Sequence, residues 1–204
     1  MDYSKSYTKY KKRYLHLKKY QGYKRTSLLL FETDGKELNV ILFRNKRWQA
    51  YSDTGGRISS INTKNPLMIN IIKETKEETL NSLNIQHLFG TNQEPFYIDM
   101  KDGTDKVRIY VLVIKKGIYD KNIFFENQDI LSKRKVPHDW DETDHIRIFK
   151  LKDLLACKKG TEVMCEGYKI YGRVLKYLRF VNSQNILDKA IQRQVHNFKL
   201  YRIN

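Results

Sequence analysis

The chain is short of cysteine, of acid and of long apolar runs. Its two cysteines, Cys157 and Cys165, are too few for the disulfide framework of a small secreted domain. They stand eight residues apart with no CxxC and no close histidine pair, which is not zinc-ligand spacing, and they read as buried structural thiols. The longest aliphatic or aromatic runs, Leu28 to Phe31, Val40 to Phe43 and Ile109 to Ile114, are strand-sized, far below the roughly 20 residues that span a bilayer. The first 25 residues lack the apolar stretch of a secretory signal. A soluble, cytoplasmic protein of a reducing compartment is expected, with no membrane partner. Its oligomeric state is not legible.

Asp and Glu number 23 against 39 Lys and Arg, a net charge of +16 with a pI near 9.7, which favours polyanionic partners such as nucleic acid or polyphosphates. At 204 residues and 40% hydrophobic content, one domain with a real core is expected. The charge is segregated: residues 1–25 hold nine Lys or Arg against Asp2, residues 169–204 hold eight against Asp188, and residues 26–168 are close to neutral. AT-rich coding would account for the excess of Lys over Arg, but not for this segregation. The division expected is a basic aromatic helical extension at 1–25, a catalytic domain at 26–168 and a basic helical segment at 169–204.

Tyr3, Tyr7, Tyr10, Tyr14 and Leu17 recur at helical spacing, with Lys11, Lys12, Arg13 and Lys18 beside them. That stripe either packs on the domain or stacks on bases, packing being the commoner use of such periodicity. Tyr168, Tyr171, Leu175 and Leu178 suggest a second such helix, with Arg173 and Arg179 on its basic face. In the middle, the runs at 26–33 and 38–44 flank Asp34-Gly35, a hairpin signal. Asn65-Pro66 reads as the cap and first position of a helix reaching about Leu80, packing through Met68, Ile72, Thr75, Thr79 and Leu83. Strands at 96–100, 107–115 and 145–150 and a short helix at 151–155 complete the expectation: an α/β fold, a mixed sheet with helices packed on it.

On the 67–80 helix Glu74, Glu77 and Glu78 lie at i, i+3 and i+4 and converge, on a face directed away from the packing stripe. Three like charges either form a solvated face or share a hard divalent cation such as Mg²⁺ or Mn²⁺, whose coordination a diphosphate can complete. The cluster follows a Gly55-Gly56 turn at a strand end, which sets the acids beside a tight backbone corner.

Residues 73–79, KETKEET, with Gly55-Gly56 and Tyr51 ahead of them, resemble the signature of the Nudix hydrolases, G-x5-E-x7-R-E-U-x-E-E-x-G-U. The likeness covers roughly residues 26–155 and implies a Nudix-like mixed sheet sandwiched between helices. It departs from the pattern in a three-residue insertion, in Asn65 where the first Glu would stand, in Lys73 for Arg, in Thr75 for an aliphatic residue and in Leu80 for the closing Gly. The resemblance implies a hydrolase using Mg²⁺ or Mn²⁺, with Glu77 and Glu78 as ligands and Glu74 as ligand or base. It also implies a further acid from the loop at 138–145, where Glu142 is favoured over Asp141 and Asp144 as ligand or general base.

The basic ends and the composition resemble the mRNA-decapping Nudix enzymes of poxviruses and giant DNA viruses, which implies a capped-RNA substrate. Trp48, Tyr51 and Trp140 are candidates for stacking on a methylated, cationic guanine, though each can equally be core or loop packing. Arg44, Lys46, Arg47 and Arg57 are candidates for phosphate contact, and ordinary surface charge explains them about as well. Diphosphoinositol polyphosphates or nucleotides are the alternative substrates, and a non-catalytic RNA-binding protein is the alternative class. If the N-terminal segment holds the RNA body, replacing Lys11, Lys12, Arg13, Lys18 and Lys19 with Ser weakens binding of long capped RNA. The slope of log affinity against log salt then flattens by about 0.7 per lost single-strand phosphate contact, with hydrolysis of a free cap analogue unchanged.

Overall fold

The computed structural model describes residues 11, 15, 18–59, 63–135, 137–195 and 200–203. Of the N-terminal stripe, Tyr3, Tyr7, Tyr10, Tyr14 and Leu17 lie outside the described residues, as do Lys12 and Arg13. Lys11, Leu15 and residues 18–20 are helical, with Lys11 exposed and Tyr20 buried. Among the described residues no helix is long and apolar enough to cross a membrane.

The three apolar runs become the centre of one sheet because they are buried on both faces. Along β1 (Tyr23–Thr33), Leu29 and Phe31 enter one core while Leu28 and Leu30 enter the other. β2 (Leu38–Asn45) divides Val40 and Leu42 from Ile41 and Phe43 in the same way. Period-two side-chain alternation with helices on each face leaves no polar side, so these strands read as continuous hydrophobic runs.

The remaining elements are β3 (Ala50–Ser52), α1 (Pro66–Glu78), β4 (Phe96–Asp102), β5 (Asp105–Lys115), α2 (Lys121–Ser132), β6 (Thr143–Lys150), α3 (Leu151–Ala156), β7 (Glu162–Cys165), β8 (Tyr168–Tyr171), α4 (Gly172–Asn182) and α5 (Ile186–Gln192). The sheet runs β4-β5-β1-β2-β3-β8-β7, with β6 also on β2. Pairs β1–β5 and β3–β8 are parallel and the others antiparallel. α1 and α2 cover one face, and α3, α4 and α5 the other. The expected mixed α/β sandwich is therefore the architecture found.

One edge of β2 carries β6 along residues 39–45, so the other is shared, residues 38–41 pairing β1 and 43–45 pairing β3. Residues of β1, β2 and β3 around that shared edge line a cleft.

Several local expectations are corrected. The connection after β1 is four residues long: Asp34 Oδ1 accepts from the N–H groups of Lys36 and Glu37, and Gly35 alone takes a positive φ of 89°. Asn65 precedes α1 without a side-chain cap bond, while Pro66 does open the helix. Tyr168 to Tyr171 form a strand, because β8 pairs with β7 and β3, and the helix begins only at Gly172. Cys157 and Cys165, expected as separate thiols, are disulfide-bonded with Cα atoms 6.0 Å apart, since β7 folds back against the end of α3.

At the β4 edge Asp99 accepts two hydrogen bonds from Arg108, at 2.8 and 2.9 Å, and one from the Tyr23 hydroxyl. Burial works to raise the Asp99 carboxyl, but the bonds from Arg108 and Tyr23 outweigh it and hold the group below its ordinary value. The stabilisation is then complete above about pH 4 and is lost as pH falls through the lower folded-state value. Asp99→Asn should lower stability at pH 7 by about 0.5–1 kcal/mol, the pair being partly solvent-screened. In denaturant titrations the gap to the wild type should narrow below about pH 4.

Candidate active site

The site is built on a backbone corner. After β3 the chain turns at Gly55-Gly56 and is drawn against β1, with Leu28 N–H donating to Thr54 O at 2.6 Å and Thr26 N–H to Gly56 O at 3.1 Å. A Cβ on Gly55, whose φ is 149°, would stand 2.3 Å from Thr26 O, and one on Gly56 would stand 2.0 Å from the Glu74 carboxylate. Gly55, against backbone and at a positive φ, admits no other residue, whereas a side chain at Gly56 would have to turn the Glu74 carboxylate aside.

α1 is fastened to the same corner. Asn70 Nδ2 donates to Thr26 Oγ1 at 2.8 Å and to Gly56 O at 3.2 Å, and the Gly55 N–H donates to Glu78 Oε2 at 2.6 Å. The buried face of the helix is Leu67, Asn70, Ile71 and Thr75, with Met68 and Ile72 only partly covered. The packing stripe is thus rotated by about one residue from the Met68, Ile72 line expected. Glu74 and Glu78 consequently lie at the margin of the packed face, against the corner, and not opposite it.

Together with Asp53, Glu142, Arg25, Arg57 and Arg173 they line a cleft of about 330 Å³. Burial pushes the Glu74 carboxyl up to about 7, with the negative charges of Glu77 and Glu142 adding to it and Lys73 and Arg25 opposing. Burial also holds the Glu78 carboxyl well above its ordinary value. There Asp53 and Glu74 reinforce the rise, against Arg25 and the Gly55 N–H. Asp53, whose side chain is fully buried, accepts from Ser27 Oγ at 2.5 Å and Ser52 Oγ at 2.8 Å.

The residues expected at the site are only partly brought together. Glu142 lines the cleft, whereas Asp144 takes a bidentate bond from Arg44, at 2.9 Å for each contact, and Asp141 pairs with Lys46. Those ion pairs tie the end of β2 to the acidic loop and engage both Arg44 and Lys46. Glu77 faces away from the cleft, 3.2 Å from Lys73 and into a groove on the outer side of α1.

Of the aromatics, Trp48 is 48% exposed at the cleft with Arg47 stacked on its ring. Tyr51 is corrected as a stacking surface: at 3% exposure it is core, packed edge-on to Phe149 and Tyr168. Trp140 lies in the outer groove, under Lys76. Arg57 and Arg173 line the cleft, while Arg179 turns to the Cys157 carbonyl and has its bond there. Sequence reasoning missed Asp53 and Arg25. Asp53, two residues ahead of the glycines, had that position as its one signal; Arg25, at the start of a strand, had none.

Among the described residues no three His, Cys, Asp or Glu side chains stand together as a metal-holding group. The donors along the cleft, Glu74, Glu78 and Glu142, are nonetheless all oxygen, which suits a hard divalent cation in kind, and their mutual repulsion is what such a cation relieves.

No family model matches the sequence, and no curated protein matches it. Among solved structures the chain is similar to the NUDIX domain of Shewanella oneidensis NrtR complexed with ADP ribose, with a TM-score of 0.45 and 10% identity over 78% of this chain and 85% of that one. It is similar to a C. elegans Ap4A hydrolase binary complex, with a TM-score of 0.42 and 10% identity over 83% and 98%. A third likeness is to a NUDIX-family hydrolase from Clostridium perfringens, with a TM-score of 0.41 and 14% identity over 81% and 95%.

The corner makes its own prediction. Gly55→Ala would drive a Cβ into the backbone of Thr26 and Ser27 at a positive φ and should cost about 1–3 kcal/mol in chemical denaturation, the range for overpacking, whereas Gly56→Ala need only turn the Glu74 side chain aside and should cost less. Gly35→Ala, at a turn where a Cβ meets nothing within 4 Å, faces only its positive φ and should cost less.

Proposed function

We propose that the protein is a divalent-metal-dependent hydrolase of a diphosphate linkage, working in the manner of Nudix enzymes, and that its substrate is the 5′ cap of mRNA. The observation that carries the reading is the meeting of Glu74 and Glu78 with the Gly55-Gly56 corner, in one cleft with Glu142 and three arginines. Glu74, Glu78 and Glu142 would hold Mg²⁺ or Mn²⁺. When bound, the metal supplies neutralisation of diphosphate charge and a more acidic water. Glu142, facing the helix acids from its own loop, is the group assigned the proton of the attacking water. The corner fixes where the helix carboxylates stand, so little reorganisation is left for the reaction itself.

Capped RNA is favoured by the charge at the two ends of the chain, which suits a long polyanion better than a small one. In this reading Trp48, exposed at the cleft, is the aromatic assigned to the cap guanine. A second reading, a diphosphoinositol polyphosphate or nucleotide as substrate, is favoured by the three arginines gathered inside the cleft.

The deciding experiment incubates the protein with Mn²⁺ and, separately, cap-labelled RNA, free cap analogue and a diphosphoinositol phosphate. Release of 7-methylguanosine diphosphate and 5′-monophosphate RNA is expected. Turnover of the inositol compound alone selects the second reading, and metal-dependent turnover of none of them leaves a non-catalytic RNA-binding protein. Glu78→Gln should lower turnover on the order of 100-fold or more. The melting temperature should hold, because burial already disfavours the charged carboxylate and the amide oxygen can still accept from Gly55.

A further inference from the structure

We propose that Arg25 and Arg173 form a two-guanidinium clamp for the diphosphate oxygens, with Asp53 as the residue that positions Arg173; the proposal rests on the diphosphate reading above. Arg25 comes from the start of β1 and Arg173 from the first turn of α4, after β8, so the clamp joins two separate parts of the sheet across the cleft.

In both side chains the Nε is buried and has no hydrogen-bond partner among the described residues, although both side chains line the cleft. Leaving a buried guanidinium donor unpaired is costly, and two such donors on one cleft are matched by an anion with several acceptor oxygens. Phosphate is that partner, since the planar guanidinium fork offers Nε and a terminal nitrogen together.

The rest of each side chain is held in place. An Arg25 terminal nitrogen donates to Gly55 O, which ties it to the corner that also fixes Glu78. Arg173 lies over the Tyr171 ring at 4.8 Å and 4.0 Å from the Asp53 carboxylate, too long for a hydrogen bond but close enough to orient a charge. Asp53 is in turn held by two serine hydroxyls.

The backbone ahead of Arg173 is equally constrained. Gly172 N–H donates to Thr161 O at 2.7 Å, and a Cβ on Gly172 would stand 1.8 Å from Gly160 O. The loop that supplies those carbonyls is closed by the Cys157–Cys165 disulfide. A side chain carried by so tightly seated a helix start is preorganised, so binding spends little entropy ordering it.

The test is calorimetric binding of inorganic pyrophosphate to the full chain in metal-free buffer, with KM and kcat for the best substrate of the wild type measured in parallel. Arg173→Ala and Arg25→Ala should each weaken pyrophosphate binding on the order of 10- to 100-fold, the loss expected for charge-assisted hydrogen bonds. Arg173→Lys and Arg25→Lys, which keep charge and stem, should fold as the wild type does and still bind measurably less tightly.

Asp53→Asn should weaken binding less than Arg173→Ala, and the Asp53→Asn/Arg173→Ala double variant should bind no worse than Arg173→Ala alone. In turnover the losses should appear mainly in KM. Wild-type-like pyrophosphate affinity in folded Arg→Lys and Arg→Ala variants would overturn the clamp, as would no pyrophosphate binding by the wild type. Additive losses in the double variant would overturn the role of Asp53. Arginine-dependent pyrophosphate binding without any turnover would leave the clamp standing and remove the hydrolase reading. Robust turnover with KM unchanged in the variants would do the reverse.

Discussion

The approach of the Gly55-Gly56 backbone to β1 on one side and to the Glu74 carboxylate on the other is the constraint on which the rest of the site depends. Without Cβ atoms the corner can sit within hydrogen-bond distance of Thr26 and Leu28, and the α1 helix can settle on it through Asn70 and Glu78. Four groups of the candidate chemistry are referred to that corner. Asp53 precedes it, Arg25 donates to its carbonyl, and Glu74 and Glu78 close over it. A side chain at either glycine would alter several distances at once.

The cleft collects carboxylates that oppose one another beside three arginines. Burial raises Glu74 and Glu78, and the neighbouring acids add to the rise. Such an arrangement stores destabilisation that a bound cation or a bound polyanion, or both together, would relieve. The sheet supplies the rigidity to maintain it. β1 is hydrogen-bonded to β2 and β5 and buried on both faces, and β3 is held between β2 and β8. Two distant parts of the chain therefore bear on the cleft, β1 bringing Arg25 and the β8–α4 junction bringing Arg173.

Much of the fold was legible because its signals are local. The runs at 28–31, 40–43 and 109–114 mark strands, and Pro66 marks the start of α1, because these patterns act within one element. The misreadings share a cause as well. Tyr168 and Tyr171 have helical spacing with Leu175 and Leu178, yet pairing with β7 and β3 outweighs that periodicity, and the helix waits until Gly172. On α1, Met68 and Ile72 compete with Leu67 and Ile71 for the packed side. The bonds of Asn70 and Glu78 to the corner settle the rotation, and no apolar count contains them.

The sequence by itself determined the strand cores, the glycine corner, the spacing of the helix acids and the concentration of positive charge toward the two ends, since each follows from neighbours within a few residues. Only the tertiary structure decided which of the acids share a cleft. Glu74, Glu78 and Glu142 line it, while Glu77 pairs with Lys73 on the other side of the helix and Asp141 and Asp144 are taken by Lys46 and Arg44. It likewise put Tyr51 in the core, joined Cys157 to Cys165, and brought Arg25 across to Arg173. The physical reason is that a side chain's direction within an element follows from local geometry. Its partners depend on where the sheet opens and how the helices rotate, and those are set by contacts between residues far apart in the chain.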